Sequence, residues 1–186
     1  MKITFKPNIW LSCETGSVPL DTLRQRELVS HPSRIGNTIS LCSYVFEVLD
    51  AGSFICEAKQ RVDFASVRLC ELGLDKSPKL GDVFNNSFLA DFGLALCGPD
   101  DCLSVLWNLP EALFKLVSWR GTVIGFAMSP LVPPPIGREL SERGPSLTFS
   151  LWGKGGFPDV VIGGCFQSAP DANVGVDETL IFRIIR

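Results

Sequence analysis

The chain has 186 residues, 46% of them hydrophobic and 20% charged, which excludes a disordered segment and leaves enough apolar mass for one good core. Its formal net charge of −3 excludes a strongly basic protein that coats nucleic acid. Thirteen Phe, 17 Gly and 13 Pro beside a single His point to many short strands joined by tight turns.

In chain order, the first segment carries Lys2 and Lys6 around Phe5 and no apolar run of signal-peptide length, so no leader is expected. Asn8 to Cys13 reads as a short strand and Glu14 to Asp21, with Gly16 and Pro19, as a loop. Thr22 to Val29 reads as a helix capped by Asp21 and stopped before His31-Pro32. Ile39 to Leu49 is rich in β-branched and aromatic residues, and Asp50 to Ser53 follows as a turn. Phe54, Cys56, Ala58 and Val62 then alternate with Glu57, Lys59 and Arg61, which predicts an antiparallel hairpin. Ala65, Val67 and Leu69 extend the alternation as a third strand, giving a meander with one wet face.

Gly73 to Gly81, with Pro78, reads as a loop. Phe84 to Leu96 places Phe88, Ala90, Phe92, Leu94 and Leu96 on one side, the period of a strand. Leu103 to Trp119 has helical spacing, with a helix start expected near Pro110, where proline is tolerated; Leu103 to Trp107 fits a preceding helical turn or a strand. Gly121 to Met128 reads as a buried strand. Residues 129–145 read as a mobile loop, combining Pro130, Pro133, Pro134 and Pro135 with Arg138 and Arg143. The uncharged stretch from Gly121 to Gly137 is broken by these prolines and falls short of the roughly 20 apolar residues of a membrane helix. Leu147 to Leu151, a Gly153-Lys154-Gly155-Gly156 turn, and Val160 to Phe166 form a second hairpin, and Leu180 to Arg186 a closing strand. The expected architecture is a single domain over 1–186, mainly β, with eight to ten strands in an antiparallel sandwich or jelly-roll-like barrel and one or two short helices.

The chemistry-bearing residues are sparse. Triad-type catalysis needs an oriented base, and His31 stands in a loop. Gly153-Lys154-Gly155-Gly156 departs from a phosphate-binding loop because Gly155, rather than Ser or Thr, follows the lysine. Asp100-Asp101 sits in a Gly-Pro turn, where Asp is favoured for turn reasons. The seven cysteines, an odd number, make a poor disulfide framework and suit a reducing compartment. Most read as small buried hydrophobes. Cys97-Gly-Pro-Asp-Asp-Cys102 has wider spacing than a zinc pair and no second pair to complete a site, so it reads as a turn flanked by thiols.

Residues Leu89 to Trp152 run as strand, Cys97-Gly-Pro-Asp turn, helix, strand, proline loop and strand. Within them Val123 to Ser129, the proline loop and Leu147 to Trp152 resemble the middle of rhabdovirus matrix proteins. The resemblance covers about a third of the chain, rests on apolar residues and carries over no functional residue. It implies a small sheet packed on helices, self-association, and bridging of nucleocapsid to membrane. The chain departs from the family in lacking a lysine-rich N-terminus and a Pro-Pro-x-Tyr motif, and in its acidic balance.

The residues thus favour a non-enzymatic structural or interaction protein, matrix-like or capsid-like, working by self-association or partner binding. The expected partner loop is Pro130, Pro133, Pro134, Pro135, Arg138 and Arg143, with Pro130 to Pro133 spaced as a PxxP ligand. A local basic bias at Lys2, Lys6, Arg24, Arg26 and Arg34 offers a second surface for anionic membrane or RNA. No small-molecule cofactor is expected, and the expected location is intracellular or in a virion. The alternatives are a small-molecule or carbohydrate-binding sandwich using Trp10, Trp107, Trp119 or Trp152, and a thiol enzyme using Cys97 or Cys102.

Overall fold

The computed structural model describes residues 5–16, 28–30, 38–41, 45, 59–74, 76–120, 123–129, 147–153, 160–167 and 173–186. Nine strands lie in one sheet: β1 (Leu11–Thr15), β2 (Leu28–Ser30), β3 (Thr38–Leu41), β4 (Gln60–Arg68), β5 (Leu94–Ala95), β6 (Ile124–Phe126), β7 (Leu147–Gly153), β8 (Val160–Gln167) and β9 (Thr179–Ile184). Their order is β1-β4-β9-β6-β7-β8-β3-β2, with β5 also joined to β9. Most neighbours are antiparallel, but β3 runs parallel to β8 and β6 parallel to β9. The sheet is mixed and curls into a half-barrel.

The sheet-rich expectation holds. The described strands nevertheless form one mixed sheet rather than two packed antiparallel ones, and around β4 and β9 both of its faces are covered. Four helices have described bounds: α1 (Leu80–Val83), α2 (Asn86–Ala90), α3 (Pro99–Trp107) and α4 (Glu111–Arg120). A 3-10 turn spans Leu69–Leu72.

Strand β4 shows why two covers are needed. Val62 and Phe64 belong to one core cluster, and Ala65 and Val67 to another. Successive strand side chains point to opposite faces, so the burial of both sets leaves β4 with no wet face along its centre. Leu11, Cys13, Ile124, Phe126, Leu151 and Ile181 join the first cluster with Leu103, Val105 and Leu106 of α3 and Phe114 and Val117 of α4. Leu180 and Phe182 join the second with Leu69, Leu72, Val83 and Leu89. Gly125 of β6 approaches β9 so closely that a Cβ there would stand 2.9 Å from Leu180 Cδ2.

Pairing corrects the meander. Val62 and Ala65 to Arg68 are one continuous strand, β4, and its partners are β1 and β9. β3 pairs instead with β2 and β8, so the Ile39 segment is not the hairpin partner of the Val62 segment. Alternation is a property of any half-exposed strand and does not name the neighbour, and the proposed turn at Asp50 to Ser53 lies outside the described residues. The Thr22 to Val29 helix is also corrected at its end: Leu28 and Val29 belong to β2, and the rest of that segment is outside the described residues.

The Phe84 to Leu96 strand is replaced by α2, a turn and the two-residue β5. Asn85 Oδ1 accepts the backbone N–H of Ser87 (2.9 Å) and Phe88 (3.3 Å), the capping arrangement that starts a helix. Phe88 and Phe92 then meet edge-to-face with centroids 5.1 Å apart. Their spacing of four, not the alternation, is the structural signal. The Gly73 to Gly81 loop contains the start of α1, and Gly73, at φ 75°, ends the 3-10 turn in a conformation that favours glycine.

The C-terminal hairpin is as expected: β7 and β8 pair antiparallel from Leu147↔Gln167 to Gly153↔Val161. β9 pairs on both sides, with β4 and with β6, rather than closing an edge. No described helix is long and apolar enough to cross a membrane.

Candidate functional site

The sequence-expected site residues Pro130, Pro133, Pro134, Pro135, Arg138 and Arg143 lie outside the described residues, as do His31, Lys2, Arg24, Arg26 and Arg34. The geometry that is described brings together a different set.

Cys97 and Cys102 are on opposite sides of a helix start. Gly98 is the N-cap of α3 and Pro99 its first residue, a position where the missing N–H of proline costs nothing. The Cys97 to Cys102 segment is therefore a helix N-terminus rather than a plain turn. α4 starts next to Pro110, as expected, and Pro110 O accepts the Phe114 N–H at 2.8 Å.

The thiols in this region are buried. Cys97 Sγ donates to Ile181 O at 3.5 Å, and Cys102 Sγ to Gly98 O at 3.4 Å, with Met128 Sδ 3.7 Å away. Burial pushes both thiols well above the ordinary range, with the nearby Asp101 charge adding to the effect. Cys13 is pushed up to about 12, first by burial and then by Asp101 and Asp100. A thiolate, the nucleophilic form, is disfavoured at all three. Cys70 is half-buried.

Two carboxylates organise the charged groups. Asp101, with no exposed side-chain surface, accepts the Gly98 N–H at 2.6 Å and is clamped by Arg183 of β9, whose Nη2 lies 2.8 Å from Oδ1 and whose Nε contacts Oδ2. Asp63, opposite Ser12 in the β1–β4 register, accepts the Ser12 hydroxyl at 2.5 Å and Arg186 Nη2 through its other oxygen. The Ser12 hydrogen bond lowers the Asp63 carboxyl below its ordinary value against the opposing effect of burial, and Arg186 and Arg61 lower it further.

Asp63, Arg183 and Arg186 line a groove of about 320 Å³ between the start of β4 and the end of β9. Gln60, Arg61, Val62 and Asp63 form one wall and Arg183, Ile184 and Arg186 the other. Three arginines and one aspartate are among the described residues of this lining. Asp101 balances Arg183 from beneath, and Glu14, the register partner of Arg61, pairs with Lys59 at 3.8 Å on the flank. Ile185, between Ile184 and Arg186 in sequence, is 49% exposed.

Comparison of the chain with protein-family models, curated proteins and solved structures gives no match. The chemical reading therefore rests on the groove itself.

In the sequence, Arg61 is a polar position of an alternating strand, and Arg183 and Arg186 fall in the last strand. A usable signal was nevertheless present. Two arginines interrupt Leu180-Ile-Phe-Arg-Ile-Ile-Arg186, and an arginine within an apolar strand needs a buried acid or a ligand. Trp10 and Trp107 pack against the first core cluster instead of lining the groove.

Proposed function

We propose that this chain is a non-enzymatic structural or interaction protein that acts by self-association or partner binding through the arginine-lined groove. The observation that carries the reading is the groove between β4 and β9, where Arg61 and the largely exposed Arg186 stand beside Asp63, and Arg183 is held by Asp101. Arginine is suited to such a role because its planar fork meets carboxylates in two parallel hydrogen bonds. The burial and raised pKa of Cys97 and Cys102 support this reading over a thiol enzyme. A viral, matrix-like or capsid-like role belongs to the same proposal and rests on the resemblance of the Leu89 to Trp152 segment alone.

Sedimentation velocity over a wide concentration range tests the self-association arm. The expected result is a sedimentation coefficient that rises with concentration, falls with added salt and loses its concentration dependence in Arg61→Ala/Arg186→Ala. A wild-type chain that stays monomeric throughout overturns that arm.

A further inference from the structure

We infer that Cys97, Cys102 and Met128 form a closed, all-sulfur site for a monovalent copper ion, Cu(I), at the start of α3. The inference is independent of the docking reading. Cys102 Sγ and Met128 Sδ are 3.7 Å apart. Two sulfurs at that separation share one ion through bonds of about 2.3 Å, the length of a metal–thiolate bond, with an angle of roughly 107° at the metal. Cys97 comes from the other side of the Gly98 cap. It is the partner of Met128 in an isolated parallel bridge, beside the Cys97 N–H to Ala127 O bond of 2.7 Å. Residues opposed across a bridge set their side chains side by side. The two thiols are near enough that charge on Cys97 raises Cys102. All three residues belong to the first core cluster, with exposures of 4%, 0% and 0%.

The donor set decides the ion. Among the described residues no group of three or more His, Cys, Asp and Glu could hold a metal. The four-ligand sets of zinc and the oxygen cages of calcium and magnesium are therefore not offered by these residues. Met128 adds a thioether, a donor for soft ions, and thiolate with thioether suits Cu(I), which is satisfied by three sulfurs. Each cysteine that ligates gives its proton to solvent, so Cu(I) with two thiolates leaves one net negative charge. Arg183 favours the thiolate at both cysteines and Asp101 opposes it; the charge of the ion itself supplies the remaining drive to deprotonate. Because the three side chains are closed off from solvent, the ion is taken up as the chain folds, as at structural metal sites.

The full chain, reduced, unfolded in urea and refolded without oxygen beside an equivalent of Cu(I), is then washed with the Cu(I) chelator bathocuproine disulfonate. About one copper per chain should be retained. Met128→Leu conserves side-chain volume and should hold copper about tenfold or more weakly in competition with the chelator, with its metal-free unfolding midpoint close to that of the wild type. Cys102→Ala should lose the ion, and Cys70→Ser, in the 3-10 turn, should leave binding unchanged. X-ray absorption at the copper edge should show three sulfur neighbours in the wild type and two in Met128→Leu. The inference is overturned if the chelator strips all copper from the wild type, or if nitrogen or oxygen surrounds the retained ion. It is also overturned if Met128→Leu and Cys102→Ala hold copper as the wild type does, the behaviour of cysteines elsewhere in the chain. Should Met128→Leu fail to refold, the copper neighbours in the wild type decide alone.

Discussion

Arg183, on the interior strand β9, clamps both carboxylate oxygens of Asp101 in the first turn of α3, joining segments 82 residues apart in sequence. The same carboxylate accepts the Gly98 N–H, so one side chain caps the helix and ties it to the sheet. Asp101 is wholly buried and Arg183 is 23% exposed. Removing one partner of such a pair leaves an uncompensated charge and costs about 3–5 kcal/mol.

The prediction is an asymmetry between single and double variants. Arg183→Met should lower unfolding free energy by about 3 kcal/mol, because Asp101 then remains buried and charged. Asp101→Asn/Arg183→Met should recover part of that loss, since the amide still accepts from Gly98 and no lone charge remains. Urea denaturation followed by tryptophan fluorescence reads both values. A loss below about 1 kcal/mol for Arg183→Met would place the pair among solvent-screened ones.

The second prediction concerns acid. Asp63 titrates below its ordinary value in the fold, whereas an unfolded aspartate titrates near about 3.9. Its contribution to stability is therefore present above the unfolded value and is lost as pH falls through the folded one. Asp63→Asn should flatten this part of the stability–pH curve while leaving the neutral-to-alkaline part unaltered. Urea midpoints collected at acid and neutral pH test it; parallel curves for the two proteins would refute the assignment.

The thiols predict the opposite limb. Cys13 is raised from 9.0 to about 12, so its contribution is full below the unfolded value and is lost as pH rises through the folded one. Cys13→Ala should reduce the alkaline loss of stability. At neutral pH, iodoacetamide should modify half-buried Cys70 in the native chain, and Cys13, Cys97 and Cys102 only after unfolding. Peptide mass spectrometry reads the order; native labelling of Cys97 or Cys102 would contradict their burial and restore a thiol-based role.

Close packing between β6 and β9 supplies the fourth. A methyl at Gly125 would stand 2.9 Å from Leu180 Cδ2, inside normal contact. Gly125→Ala should cost about 1–3 kcal/mol, the usual penalty of overpacking. Gly125→Ala/Leu180→Val should cost less than the sum of its two single changes, because the same space is relieved. Strict additivity in urea denaturation would show that the strands part to admit the methyl.

How much was legible follows the range of the interaction. β7, β8 and β9 could be read because their period-2 runs are bounded by Gly and Pro signals within a few residues. The helix following Pro110 was legible for the same reason: proline's fixed φ and missing N–H act on its immediate neighbours. α2 was misread because Phe88, Phe92 and Leu96 satisfy a spacing of two and a spacing of four at once, and the Asn85 cap decides between them. The start of α3 was read as a turn because Gly-Pro-Asp-Asp suits both, until Asp101 meets Gly98 and Arg183.

By itself, the sequence determined a sheet-rich chain with a large apolar core, short helices and cysteines suited to burial, since composition and local periodicity depend only on nearby residues. Tertiary structure alone decided that β4 lies between β1 and β9, that β9 is interior, and that both faces of these two strands are covered. It alone assembled the groove, where Asp63 meets Arg186 across 123 residues. Strand order is set by which apolar faces close on one another, a long-range choice that alternation within a strand leaves open.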